Sequence, residues 1–369
     1  MSSVYSFSLA TEKDDVALRE IIRSQSMEGS IRIIFQKEPS FFAAERIGAQ
    51  NLDVLVCREQ RTGRIVGFGS RSVRIVFVNG KPEEVGYLSS LRAIPEVRGG
   101  TLLPRAYKAL RGLHADGKVP FYFTTIFEEN EIARRALTSG RAGLPTYQEI
   151  GRLNTYIVAI SSCKKRVVEF DGTVARGSKR IIPELVEFLN GYNSQFQLAP
   201  HFEAQDFKNG FLPEFVPENF YVARVGKSIV GVAGVWDQSN IKQTMIGGYG
   251  SMLKRLRPFY NVYAAVSGKP KLPPIGGSIR LFYISFVAIN PPNPEILRIL
   301  LRHIYYDWYS AGYPYFVMGL NEKDSLSSSL SDFQYRTVKS RIYAVYWEDG
   351  KKKVEELDNR LPHLEIATL

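Results

Sequence analysis

Apolar and polar positions change rhythm several times along this chain, and each change marks an element. Residues 4 to 9 alternate like a short strand. Residues 11 to 24 have helical spacing, opened by Thr11, with Val16, Leu18, Ile21 and Ile22 as the apolar side. Residues 29 to 47 read as a helix in two pieces, broken at Pro39. Asp53 to Arg58 is a strand, and residues 61 to 64 are a turn. A longer strand runs from Ile65 to Val78. Asn79-Gly80 then predicts a tight hairpin whose central residues both take positive φ. The return strand starts near Glu84 and runs on through Tyr87 to Ala93. Pro95 stops its ladder. A helix over 101 to 115 follows, with Leu102, Leu103, Tyr107, Leu110 and Leu113 on one face. Phe121 to Phe127 is a strand, Glu128 to Leu137 a helix, and Tyr147 to Ile160 two strands around Gly151-Arg152. The helix between residues 93 and 121 is a crossover, so the strands flanking it should lie parallel.

After a polar, basic connection (161 to 180, with a short strand at Val167 to Phe170), the same rhythm returns. Ile181 to Tyr192 is a helix. Asn219 to Val225, a turn at Gly226-Lys227, and Ile229 to Val235 repeat the strand-turn-strand that begins at Asp53. Leu281 to Ile289 is a buried strand, Glu295 to Ala311 a helix, Tyr315 to Leu320 a strand, and Arg336 to Trp347 closes with strands. Tyr315-Phe316-Val317-Met318 before Asn321-Glu322 echoes Tyr122-Phe123-Thr124-Thr125 before Asn130-Glu131. This is an internal repeat.

Between Ala93 and the helix at Thr101 lies Arg98-Gly99-Gly100. Glycines let the backbone turn closely, and Thr101 is placed to cap the helix. Such a helix start offers unpaired N–H groups beside a guanidinium, which suits a pyrophosphate. An ordinary strand-to-helix turn has the same composition. The run Leu91-Arg92-Ala93-Ile94-Pro95-Glu96-Val97-Arg98-Gly99-Gly100-Thr101-Leu102-Leu103, with Asn130 and Ala133 further on, resembles the signature of the GNAT superfamily of N-acetyltransferases. The resemblance implies an α/β fold with a mixed sheet, as two tandem GNAT-like acyl-CoA N-acyltransferase domains. Residues 1–160 form the acyl-CoA-binding copy, 161–180 a connection, 181–350 a degenerate copy and 351–369 a C-terminal tail. The coenzyme contacts it implies are Leu91, Arg92, Ala93, Arg98, Gly99, Gly100, Thr101, Leu102, Leu103 and Asn130. The sequence departs from the pattern where small residues usually stand, at Thr101 and Leu103. It departs again at Leu137, where a tyrosine often protonates the leaving thiolate. The second copy has Asn290-Pro291-Pro292-Asn293-Pro294 in place of the glycine turn. Prolines donate no N–H groups, so no phosphate seat is expected there.

Composition narrows the picture. Of 369 residues, 44% are hydrophobic and 23% charged, which fits a globular chain long enough for two cores. The formal charge of +11 is spread over both halves, with no basic tail and no nucleic-acid recognition motif. No apolar run is long enough to span a membrane, and no secretory signal opens the chain. Two cysteines and four scattered histidines suggest neither a disulfide framework nor a metal site, and fit a reducing cytoplasm. From residue 238 to 294 there is no acidic residue but there are seven basic ones, interleaved with Tyr249, Phe259, Tyr260 and Tyr263. That stretch reads as a solvated insertion or as an anion-facing lid.

The implied reaction transfers an acyl group, most simply acetyl from acetyl-CoA, to an amine of an acceptor. A backbone N–H near Ala93 would polarise the thioester carbonyl. Proton-acceptor candidates are Glu84 and Glu128, each of which also reads as a solvated acid. Ser89 and Ser90 lie along the strand, able to hydrogen-bond substrate or water. Tyr147 or Tyr156 could approach from later strands. The competing class is a non-catalytic acyl-CoA or small-ligand binding protein on the same scaffold.

Overall fold

The computed structural model describes residues 4–27, 29–97, 101–141, 143–161 and 170–369. Its spine is a hairpin of β4 (Ile65–Val78) and β5 (Lys81–Ala93), turned at Asn79 and Gly80 with φ of 51° and 81°. β3 (Asn51–Glu59) and β1 (Tyr5–Leu9) extend the sheet antiparallel on one side. On the other side β6 (Tyr122–Phe127) joins β5 in parallel, as a crossover helix requires. Gly86 stands at this junction, where an added Cβ would lie 2.0 Å from the Tyr122 ring.

The second half repeats this plan. β8 (Thr173–Arg176), β9 (Phe220–Val225), β10 (Ser228–Trp236), β12 (Leu281–Ile289) and β13 (Tyr315–Asn321) are ordered like β1, β3, β4, β5 and β6. β12 and β13 are parallel, like β5 and β6. The last strand of each half crosses over. β14 (Tyr335–Tyr346) lies beside β6, and β7 (Thr146–Ala159) lies beside β13. β7 and β14 pair with each other along their length, so one twelve-stranded sheet runs through both halves. β7 and β14 are each a single strand rather than the pairs expected. Gly151 does not break β7, because a bulge at Ile150, between the pairs Gly151↔Ile342 and Glu149↔Tyr343, absorbs the irregularity.

Helices cover both faces. Alternate residues of β3 show this: Val54 and Val56 pack with Leu18, Ile21 and Ile22 of α1 (Asp15–Arg23) and with α2 (Phe41–Glu45), while Leu55 packs towards α3 (Leu102–His114). Val16 of α1 is exposed and off the apolar side. Thr11 opens the short 3₁₀ turn Glu12–Asp14 that leads into α1, with its backbone N–H on the Asp14 carboxylate at 2.8 Å. α4 (Glu131–Leu137) starts later than expected because Asn130 caps it, accepting from the Ala133 N–H at 3.2 Å. In the second half α5 (Ile182–Asn193) and α7 (Pro294–Tyr309) bury Leu185, Leu189, Leu297, Leu300 and Ile304 in the largest core.

Residues 31–36 are not helical. They form β2 (Ile31–Gln36), paired antiparallel with β11 (Gln243–Tyr249) in a separate two-stranded ribbon. Three isoleucines and a phenylalanine in six residues favour the extended chain. Their partner lies some two hundred residues away in sequence, so local spacing could not reveal it. The expected strand at 167–170 lies, up to residue 169, outside the described residues, and Phe170 is not in a strand. In the basic insertion α6 (Ser251–Ser267) follows β11. The C-terminal segment carries α8 (Lys351–Glu355), and its last residues are drawn inward, with His363, Leu364, Glu365, Ala367 and Thr368 buried.

Candidate active site

β5 leaves its neighbour abruptly. The parallel pairing with β6 covers only Gly86↔Tyr122 and Tyr87↔Phe123. A last tie follows, with Thr124 Oγ1 donating to the Leu88 carbonyl at 2.7 Å. Beyond it β5 stays on β4 alone, through a bulge. Ser89 faces Ser70 and Arg92 faces Phe68, so Ser90 and Leu91 together oppose Gly69. Ser90 takes a φ of 54°, unusual for a residue with a side chain. The bulge turns the two serine hydroxyls onto one carboxylate, Glu45 at the end of α2. Ser89 Oγ donates to Glu45 Oε2 at 2.9 Å and Ser90 Oγ to Oε1 at 2.8 Å.

Lys37, just past β2, completes the group. Its ammonium pairs with Glu45 Oε1 and donates to Ser90 Oγ at 2.8 Å. Glu45 is buried and the Lys37 side chain only 16% exposed. Burial, with Lys242 and Arg92 nearby, pulls the Lys37 ammonium well below the usual lysine range. Lys242 stands next to Lys37 across the ribbon, one residue before the Gln243↔Gln36 pair. Burial and Arg74 lower it to about 7. Lys242 Nζ donates to the Ala367 and Leu369 carbonyls at 3.2 and 3.0 Å, and Arg74 to the Thr368 carbonyl at 2.6 Å. Residues from both halves and from the end of the chain thus meet around the bulge.

The residues expected from sequence are distributed as follows. Leu91 and Arg92 are exposed beside the bulge, with Arg92 folding back onto the Leu91 carbonyl at 3.0 Å. The Ala93 carbonyl accepts from Gln25 Nε2 at 3.2 Å. Arg98, Gly99 and Gly100 lie outside the described residues. Thr101 heads α3, but its side chain makes no capping bond. Leu102 and Leu103 are half-buried, and Leu102 packs on the α1 and α2 cluster. The Asn130 side-chain oxygen is used inside the chain as the α4 cap. Glu84 is exposed on β5 opposite Ile75, five residues before Ser89. Glu128 sits among arginines, 3.7 Å from Arg152 and 3.6 Å from Arg341. Tyr147 is half-buried, its hydroxyl is bonded to that of Tyr107, and desolvation pushes its phenol well above the ordinary value. Tyr156 is buried on β7 and receives Asn154 Nδ2 at 3.3 Å.

Glu45 and Lys37 were not singled out from sequence, and Lys242 was read only as one of the seven basic residues of the insertion. Lys37 and Glu45 fall in the stretch read as a helix in two pieces, which gave neither a partner. One signal was present. Tyr87-Leu88-Ser89-Ser90-Leu91 aligns with Tyr283-Ile284-Ser285-Phe286-Val287, each with a proline eight residues after the tyrosine.

No family model matches the chain, and no curated protein matches it. Solved structures do. Saccharomyces cerevisiae N-myristoyltransferase with bound myristoyl-CoA superposes with a TM-score of 0.63 at 12% identity, over 94% of this chain and 79% of that one. A GCN5-related N-acetyltransferase from Anabaena variabilis gives 0.51 at 10% identity, over 92% and 72%. A GCN5-related glucosamine N-acetyltransferase region of a fungal GH3 β-N-acetylglucosaminidase gives 0.60 at 13% identity, over 94% of this chain and 38% of that one. At such identities the likeness is one of fold. The fold is α/β, made of tandem GNAT-like domains around one mixed sheet.

Proposed function

We propose that this chain is an N-acyltransferase that takes an acyl group from acyl-CoA, most simply acetyl from acetyl-CoA, and passes it to an amine. The observation that carries the reading is the first bulge. There β5 parts from β6, and a buried carboxylate is gathered by Ser89, Ser90 and Lys37. The pantetheine arm would enter where the strands part, with the thioester carbonyl against β5 backbone N–H groups near Ala93. Arg98, Gly99, Gly100 and the residues heading α3 would hold the pyrophosphate. The proposal assigns the proton acceptor to Glu45 in place of Glu84 or Glu128, because Glu45 stands at the bulge. An incoming ammonium gives one proton to Glu45. The neutral nitrogen attacks the thioester carbon, the C–N bond forms, the C–S bond breaks, and the second proton ends on the departing thiolate. Proximity supplies much of the rate. The similarity to enzymes that use myristoyl-CoA and to N-acetyltransferases leaves the acyl length to experiment. A reducing, cytoplasmic setting belongs to the same proposal.

The test is amine-dependent thiol release, with acetyl-CoA and myristoyl-CoA offered against a panel of amines. Calorimetric titration of CoA accompanies it. Arg98→Glu is expected to abolish CoA binding, while Arg255→Glu leaves it intact; the reverse order would move the coenzyme to the other half. Binding without turnover for any amine would favour a non-catalytic acyl-CoA binder. Leu137 supports that second reading: it is a buried aliphatic where a thiolate-protonating tyrosine often stands. Failure of CoA to bind at all would defeat both readings.

A further inference from the structure

Helix α6 turns an apolar stripe outward. Its apolar residues Met252, Leu256, Phe259, Val262, Tyr263 and Val266 recur at helical spacing, so they share one face. That face points to solvent. Phe259 is 75% exposed, Val262 68% and Val266 87%, and Ile275 in the following loop is 53% exposed. The side that faces the protein is mixed: Ala264 is buried, and Leu253, Arg257, Tyr260 and Asn261 are half-buried. Asn261 exchanges hydrogen bonds with Leu272 at 2.8 and 3.0 Å, and Arg257 donates to the same carbonyl at 3.1 Å. A contiguous exposed apolar face marks a surface that meets something.

We propose that α6 docks on the surface of an anionic lipid bilayer, lying in the interface with its apolar stripe among the acyl chains. Charge complementarity selects this occupant. Lys254 and Arg255 border or interrupt the stripe, Lys269 lies over the Tyr263 ring, and no acidic residue occurs from 238 to 294. A second copy of the chain would set like charges against each other across a twofold contact. At 17 residues α6 is suited to lie on a membrane, and no described helix is long and apolar enough to cross one. Docking would also orient the protein. α6 ends at Gly268 beside the Ser161 carbonyl, just past the end of β7, and the β14 register (Tyr335↔Val158, Ser340↔Phe127) carries β7 past the end of β6 in the same direction. That is the rim of the sheet towards which β5 also runs. The inference stands on α6 alone and does not depend on the acyltransferase reading.

The experiment is co-sedimentation of the full chain with phosphatidylcholine vesicles, with and without phosphatidylserine. The protein should pellet with the anionic vesicles and release as salt rises. The double variant F259S/V266S should weaken pelleting by about tenfold or more, since each loses interfacial apolar area. K254E/R255E should weaken it while leaving the melting temperature unchanged, because both side chains are exposed. Failure to pellet with anionic vesicles, or equal pelleting of F259S/V266S, overturns the proposal. So does a concentration-dependent dimer that F259S/V266S dissolves, which would assign the stripe to a second copy. Retention on polyglutamate beads with no vesicle binding would assign it to an acidic protein and overturn it too.

Discussion

The two halves bulge at matching places and fill the bulges differently. In β5 the positive-φ residue is Ser90 at 54°; in β12 it is Phe286 at 55°. Each follows a serine, each opposes the strand of the preceding hairpin, and each comes as the parallel pairing with the next strand gives out. A carboxylate stands at both. Glu45 accepts from the two serine hydroxyls, whereas Glu365 accepts from the Phe286 backbone N–H at 2.7 Å. At the second bulge the Phe286 ring packs with Phe202, Phe207, Phe215, Phe220 and Trp236 at centroid distances of 4.7 to 5.6 Å. Aromatic packing of that kind occupies the space that the first bulge leaves for polar groups. A repeated backbone device therefore does not imply a repeated site. The side chain at one position accompanies the difference between a polar cluster and an aromatic core.

The contrast can be broken by exchanging those side chains. Phe286→Ala removes a buried ring from the aromatic cluster and should cost about 3–5 kcal/mol in chemical denaturation, without creating acyl-CoA binding. The converse change, Ser90→Phe, should disrupt the polar cluster at the first bulge and abolish CoA binding in calorimetry. Unchanged affinity would mean that the coenzyme lies elsewhere. Glu45→Gln keeps shape and removes the proposed proton acceptor. It should lower kcat on the order of a hundredfold with CoA affinity preserved. If kcat holds, Glu45 is structural.

The carboxylate at the second bulge should also make stability depend on pH. Burial raises the Glu365 carboxyl to about 7. The folded protein then binds a proton that the unfolded chain has lost, so this contribution to stability is full below about 4.5 and falls as pH rises to about 7. Wild type should lose up to about 3 kcal/mol relative to Glu365→Gln across that window, read from paired denaturation curves. A pH-independent difference would show that Glu365 stays ionised. The smallest expected effect is at Asn130. Replacing it with Ala removes the α4 cap and should cost about 1 kcal/mol of stability. A larger fall in CoA affinity would place Asn130 on the coenzyme as well.

Much of the fold was legible in sequence wherever neighbours in the chain are neighbours in space. The Asn79-Gly80 hairpin, the crossover helix after β5, the return of the strand-turn-strand at Asn219 and the extent of β12 all rest on local rules of turn chemistry and periodicity. Local rules failed where the partner is distant. β2 looked helical because β11, which pairs with it, comes from the insertion in the other half. The adjacent strands β7 and β14 could not be foreseen either, since each lies in the half of the sheet begun by the other. The candidate site divides in the same way. Sequence marked Ser89, Ser90 and the glycine turn beyond them, because they lie on one continuous stretch. Tertiary structure alone brought Lys37 and Glu45 to those serines and Lys242 beside them from the other half. Burial decided their chemistry. The Lys37 and Lys242 ammoniums are lowered by desolvation and by nearby like charge, and those energies exist only once the chain has closed around them.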